Sequence, residues 1–161
     1  MELYLLRHGI AADVGPEGSG DAGRPLTEEG IAKIKEVSRG LWSLGVRLDT
    51  LLSSPLVRAR QTAEIVGGAL GLDVELADAL APGCDIARLR ELIGEHRGAE
   101  RVMIVGHEPD FSGLAGDLTG GSRVEFKKGG LARVDLDAVD EGAGTLAWLL
   151  PPRALRKIGR D

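Results

Sequence analysis

Three short segments of this chain place phosphate-compatible side chains just beyond apolar runs. Arg7-His8-Gly9 follows Leu3-Tyr4-Leu5-Leu6, and Gly106-His107-Glu108-Pro109 follows Arg101-Val102-Met103-Ile104-Val105. Ser53-Ser54-Pro55 follows Leu51-Leu52 and leads into Leu56-Val57-Arg58-Ala59-Arg60-Gln61-Thr62-Ala63. Arginine presents a planar fork of donors that matches phosphate oxygens. Neutral histidine offers a nitrogen lone pair at physiological pH. Glycine lets the backbone approach closely or take a positive φ. Together these residue types make an anion site with a nucleophile in it. His8 and His107 are two of only three histidines in the chain.

Such side chains act together only if the fold brings them to one place. In an open α/β sheet, ligands bind outside the carboxyl ends of the strands. A first strand is expected over residues 2–6. Residues 10–24 are rich in glycine and acidic residues and read as a flexible loop leaving that strand. A lid over the site and an ordinary surface loop both fit this composition; Asp13 and Asp21 within it read as solvated acids rather than specificity determinants. Thr27 caps a helix with Glu28 and Glu29 in its first turn. Ile31, Ile34, Ser38, Leu41 and Gly45 mark one face of that helix at a period of roughly 3.6. Residues 49–53 form the next strand, and Ser54 caps a second helix with Pro55 at its first position. Leu56, Ala59, Ala63, Val66 and Leu70 form its buried face, so Arg58 points across the mouth of the sheet and Arg60 toward solvent.

A short strand over 73–76 follows, then a helix capped by Asp85 with Ile86, Leu89, Leu92 and Ile93 inward. His96 near its end, beside Glu95 and Arg97, reads as a surface residue favourable to the helix dipole. The strand at 101–105 precedes a helix from Pro109 carrying Phe111, Leu114 and Leu118. After Gly120-Gly121 the pattern changes: 124–126, 131–136 and 145–150 read as strands joined by glycine-rich turns, and the tail from Pro151 reads as basic and peripheral. Alternating strands and helices predict an α/β fold, a three-layer αβα sandwich. Its central sheet is mostly parallel, with helices on both faces and the late strands extending one edge. The expectation is a single domain over residues 1–161.

Composition narrows the function class. The chain is 43% hydrophobic, enough to bury a core, and its net charge of −5 argues against nucleic acid or an anionic membrane as partner. Aromatic residues make up 3% of it, too few for base-stacking platforms. One cysteine, Cys84, excludes an internal disulfide and suits a reducing cytoplasm. The chain starts without the basic segment and longer apolar stretch of a signal peptide, and no apolar run approaches a membrane span. No Cys/His/Asp grouping has metal-ligand spacing and no glycine-rich phosphate loop follows a strand, so neither a metal nor a nucleotide cofactor is expected.

Four pieces in order carry a family resemblance: Leu5-Leu6-Arg7-His8-Gly9, Arg24-Pro25-Leu26-Thr27-Glu28-Glu29-Gly30, Ser53-Ser54-Pro55-Leu56-Val57-Arg58-Ala59 with Gln61-Thr62-Ala63, and Val105-Gly106-His107-Glu108-Pro109. The chain resembles the histidine phosphatase, or phosphoglycerate mutase-like, superfamily, and within it the short bacterial SixA-type phosphohistidine phosphatases. The resemblance implies a transiently phosphorylated nucleophile at His8. It implies a phosphoryl cradle of Arg7, Arg58 and His107, with Gly9 and Arg24 beside the substrate. His107 would act as a cation or as an N–H donor. The expected partner is a phosphorylated protein or small phosphorylated molecule, with inorganic phosphate as product.

The proton donor is left open. Many superfamily members supply a glutamate after the third strand; here Asp78 is the only near candidate, one position off. Glu108 directly follows the second histidine, as an acid does in the phytase-like branch. It also starts a helix, where a carboxylate is favourable anyway. Water is the third possibility. A weak acid favours phosphohistidine, whose imidazole leaving group needs far less protonation than an alkoxide. The competing readings are a small-molecule phosphomonoesterase with the same mechanism, a mutase, and a non-catalytic phosphate-binding module.

Overall fold

A computed structural model describes all 161 residues. Six strands form one sheet: β1 (Glu2–Arg7), β2 (Thr50–Ser53), β3 (Val74–Leu76), β4 (Arg101–Gly106), β5 (Leu131–Leu136) and β6 (Gly144–Leu150), in the order β3-β2-β4-β1-β5-β6. The β1–β4, β2–β4 and β2–β3 pairs are parallel, and β5 runs antiparallel to both β1 and β6. The helices are α1 (Glu28–Ser43), α2 (Val57–Leu70), α3 (Ile86–Glu95), α4 (Asp110–Leu118) and α5 (Pro152–Ile158).

Alternation along the buried strands splits the core into two layers. Leu3 and Leu5 of β1 join Val102 and Ile104 of β4 under α3 and α4, against Leu89, Leu92, Phe111, Leu114 and Leu118. Tyr4 and Leu6 join Met103 and Val105 on the other face, against Ile34, Val37 and Leu41 of α1 and Ala59, Ala63 and Val66 of α2. The three-layer αβα sandwich is therefore as expected. Two caps are too: Thr27 Oγ1 accepts the Gly30 N–H at 2.9 Å, and Asp85 Oδ1 accepts the Arg88 N–H at 2.9 Å.

Four expectations need correction. Ser54 does not cap α2: the helix starts at Val57 behind Leu56, which makes no side-chain cap bond, and Pro55 lies ahead of it. Ser54 instead closes a tight turn, its Oγ accepting the Leu56 N–H at 3.2 Å. Residues 124–126 form no strand. Phe126 is a core plug there, packed edge-on against Phe111 with ring centroids 6.0 Å apart, and it explains the apolar pattern. The basic tail is not peripheral. Residues from Pro152 form α5, whose Leu155 is fully buried against α1. The approach is so close that a Cβ on Gly40 would overlap the Leu155 carbonyl. Finally, the glycine-rich segment 10–24 is tied to its surroundings. Ala11 bridges Leu26, the Ala12 N–H donates to the Pro25 carbonyl at 2.8 Å, and Asp21–Gly23 form a 3-10 turn.

Candidate active site

The parallel register of β1 and β4 builds the centre of the site. Arg7 pairs with Gly106, so the next residues, His8 and His107, leave the sheet side by side. Their ring centroids are 5.2 Å apart, at 54° to each other. The His8 backbone N–H donates to the Gly106 carbonyl at 3.1 Å, extending the ladder one residue beyond β1.

His8 is held in one tautomer. Its Nδ1 lies 2.7 Å from the Gly9 carbonyl oxygen, which can only accept, so Nδ1 carries the hydrogen and Nε2 the lone pair. The Arg58 Nε–H donates to that lone pair at 3.3 Å. Burial pushes the His8 pKa down to about 3; the bond to the Gly9 carbonyl opposes the shift, and His107, Arg58 and Arg7 add to it. The ring is neutral at physiological pH. Gly9 is required here by packing: a Cβ would sit 2.7 Å from Ile34 Cγ1 of α1. The Gly9 N–H donates to Thr62 Oγ1 at 3.1 Å, and Thr62 in turn donates to the Arg58 carbonyl at 2.7 Å.

Arg58 reaches across the mouth of the sheet from the first turn of α2 and is buried. Its NH1 donates to the Asp21 backbone oxygen at 2.9 Å and its NH2 to Asp21 Oδ2 at 3.1 Å. Asp21 is thus a partner of the site, not merely a solvated loop acid. Hydrogen bonds from Arg24 and Arg58 hold its carboxyl below the usual carboxylate range. Arg24 binds Asp21 Oδ1 through Nε at 2.9 Å and the Ala12 carbonyl through NH1 at 3.0 Å, so it anchors the loop while also lining the cleft. Arg60 faces outward and pairs with Glu64 at 3.3 Å, as expected.

Arg7 donates through NH1 to the Phe126 carbonyl at 2.7 Å, and its Nε is buried without a partner. Desolvation lowers its pKa, with Glu108 opposing. His107 shares Nε2 with Ser54 Oγ at 2.7 Å, while its Nδ1 is buried without a partner. Burial first, and Arg58 next, push its pKa down to about 4. Of the two forms expected of His107, the lowered pKa favours the neutral N–H donor over the cation.

These groups line a cleft of about 410 Å³ together with Ala11, Asp21, Arg24, Pro82, Glu108 and Lys128. Asp78 is exposed in a 3-10 turn and does not line the cleft. Glu108 is half-buried, and its Oε1 accepts the Ser112 N–H at 2.8 Å in the first turn of α4. His96 lies at the far end of α3, Nδ1 donating to the Leu92 carbonyl at 2.8 Å and Nε2 against Glu75 at 3.1 Å. No group of three or more His, Cys, Asp or Glu side chains gathers closely enough to hold a metal ion. A larger hollow of about 660 Å³ lies at the opposite ends of β1 and β4, among Glu2, Arg101 and Arg133, and holds no histidine.

Asp21, Lys128, Gln61 and Thr62 contribute to the site although the sequence pattern assigns none of them a role there. Gln61 Oε1 accepts the Leu26 N–H at 2.8 Å, clamping the base of the loop. The signal for Gln61 and Thr62 was present, since both fall within the third matched piece. Asp21 and Lys128 carried none beyond their charge.

The chain is similar to known proteins of one family. A family model for the histidine phosphatase superfamily (branch 1) matches residues 3–82. The phosphohistidine phosphatase SixA of Escherichia coli is 32% identical over 163 residues, covering 97% of each chain. An uncharacterised protein of Picosynechococcus sp. is 37% identical over 137 residues, 81% of this chain and 82% of its own. The solved structure of the protein histidine phosphatase SixA complexed with tungstate superposes with a TM-score of 0.85 at 30% identity, covering 96% of this chain and 99% of that one. No helix is long and apolar enough to cross a membrane. The chain belongs to the histidine phosphatase superfamily and is a phosphatase of its SixA-type branch.

Proposed function

We propose that this chain hydrolyses phosphohistidine, carried on a protein, through a phosphorylated His8. His8 Nε2 attacks the phosphorus; the bond to the substrate's imidazole nitrogen breaks, and its electron pair leaves with that ring, which departs as neutral imidazole because its other nitrogen carries a proton. Water then attacks the phosphorus on Nε2, releasing inorganic phosphate and restoring the His8 lone pair. Arg7, Arg58 and His107 surround the three equatorial oxygens and offset their charge. Arg24 lines the cleft and holds its loop, while Gly9 lies outside the lining and acts through its carbonyl on His8. The single observation that carries the reading is the tautomer: a buried, neutral ring with Nδ1–H fixed on the Gly9 carbonyl and Nε2 left as nucleophile.

Two features support phosphohistidine over an alkyl phosphate. Asp21 is held as a carboxylate between two arginines, and Glu108 accepts the Ser112 N–H, so neither is arranged as a strong acid. An imidazole leaving group, with an ordinary pKa of about 6.5, needs little help. A protein carrier is supported by the lining, where only Ala11 and Pro82 are apolar and little surface grips a small substrate. The reading includes one domain over the whole chain and a cytoplasmic setting, which suits the free, buried Cys84. The second reading, a small-molecule phosphomonoesterase, draws on Glu108: it lines the cleft with Oε2 uncommitted and could deliver a proton to an alkoxide.

Turnover of a phosphohistidine peptide is compared with that of sugar phosphates, and the trapped phosphoenzyme is mapped. Faster peptide turnover with label on His8 supports the proposal. Equal or better rates on sugar phosphates, or label elsewhere, overturn it.

A further inference from the structure

We infer that Ser54 is a positioning residue whose hydroxyl donates to His107 Nε2 and thereby fixes the His107 hydrogen on Nδ1, the nitrogen left to meet the phosphoryl oxygens. The inference rests on the phosphatase reading for its use, but not for its geometry. Ser54 Oγ and His107 Nε2 lie 2.7 Å apart, with Ser54 fully buried and His107 nearly so. The same Oγ already accepts the Leu56 N–H at 3.2 Å. A hydroxyl has one hydrogen to give and oxygen lone pairs to receive. Were Nε2 protonated, Ser54 would accept twice, from that ring and from the Leu56 N–H, and its own hydrogen would be buried with no acceptor. Placing the hydroxyl hydrogen on the Ser54–Nε2 line satisfies both groups and leaves Nδ1–H as a donor, which is the form an anion needs.

The arrangement parallels that of His8, with the roles reversed. The Gly9 carbonyl, an obligatory acceptor, makes His8 Nε2 a lone pair. Ser54, acting as a donor, makes His107 Nδ1 a hydrogen-bond donor. Adjacent imidazoles of the same sequence type thus present a nucleophile and a donor to the cleft, and Ser54 is the group that separates the two roles.

The test uses long-range ¹H–¹⁵N NMR on the ¹⁵N-labelled, ligand-free protein at pH 7.5, with inorganic phosphate as the binding probe. The wild type is expected to show His107 with Nδ1 protonated and Nε2 bare. In Ser54→Ala the Nδ1–H form is expected to lose its dominance, phosphate affinity to fall about tenfold through loss of a charge-assisted bond, and His8 to keep its tautomer. Ser54→Thr, which retains the hydroxyl, restores the wild-type signature. A wild-type His107 protonated on Nε2 refutes the inference without any variant, even one that fails to fold, and leaves the phosphohistidine reading standing. An unchanged tautomer and unchanged phosphate affinity in a folded Ser54→Ala protein refute it equally. A wild type with the expected tautomer but without phosphohistidine turnover instead sinks the functional reading alone.

Discussion

Acidification is the sharpest probe of the buried histidines. His8 and His107 have pKa values of about 3 and about 4 in the folded chain, against an ordinary value of about 6.5 when unfolded. Between these limits the unfolded chain binds two protons that the folded one does not, so stability is full above the unfolded pKa and falls as the pH drops. At pH 5, about 1.5 below the unfolded value, each ring costs about 2 kcal/mol, or about 4 kcal/mol together. His96 works in the opposite sense: its pKa is raised, first by the Leu92 carbonyl and further by Glu75. Its contribution is complete below the unfolded value and lost as the pH rises through the folded one. Both proteins compared should therefore carry His96→Gln. Asp21, Glu29, Asp49 and Glu125 are all held below the usual carboxylate range and stay ionised at pH 5. The assay is urea unfolding at pH 7.5 and pH 5.0, at constant ionic strength and without phosphate or sulfate. The reference protein should lose about 4 kcal/mol and the His8→Gln variant about 2 kcal/mol. Equal losses would show that His8 titrates freely in the folded state, and the neutral-nucleophile argument would fail with it.

His8→Gln should also lower phosphohistidine turnover by at least about 10⁴-fold and abolish phosphoenzyme labelling, read by radiolabel on gels of folded protein. Asp21→Asn should change stability by less than about 1 kcal/mol, because the pair is largely exposed on its carboxylate side. It should lower kcat/KM several-fold by loosening Arg58, and an unchanged kcat/KM would deny Asp21 a positioning role. Gly9→Ala should cost about 1–3 kcal/mol in urea melts through overlap with Ile34, and adding Ile34→Val should recover part of that loss. Leu155→Ala should cost about 2–5 kcal/mol; a negligible loss would mean that α5 contributes nothing to the core it enters.

The fold and the centre of the site were legible because the signals were local. Apolar runs ending in Arg7-His8-Gly9 and Gly106-His107 announce buried strands with chemistry at their carboxyl ends, and parallel pairing does the rest. Arg58 was legible as a first-turn residue off the apolar face of its helix. Asp21 was not: it meets Arg58 across 37 positions of chain, and an aspartate among glycines looks solvated. Ser54 reads as a cap because a serine before a helix caps one by default, whereas a distant imidazole engages its hydroxyl. Val124 and Phe126 mimic strand alternation, although Phe126 fills a gap beside Phe111. In the tail, basic residues masked Leu155, and one apolar side chain sufficed to dock the helix.

The pairing of Arg7 with Gly106 has a consequence for how this chain can change over time. Losing or gaining one residue inside β1 or β4 would turn His8 or His107 away and send a core leucine or valine outward. Surface loops away from the cleft obey no such phase rule. They can lengthen, shorten or trade character while the two rings stay abreast. Freedom to change length in this molecule is thus unevenly spread: the two six-residue strands cannot shift their spacing without moving one of the two rings, whereas surface loops away from the cleft can.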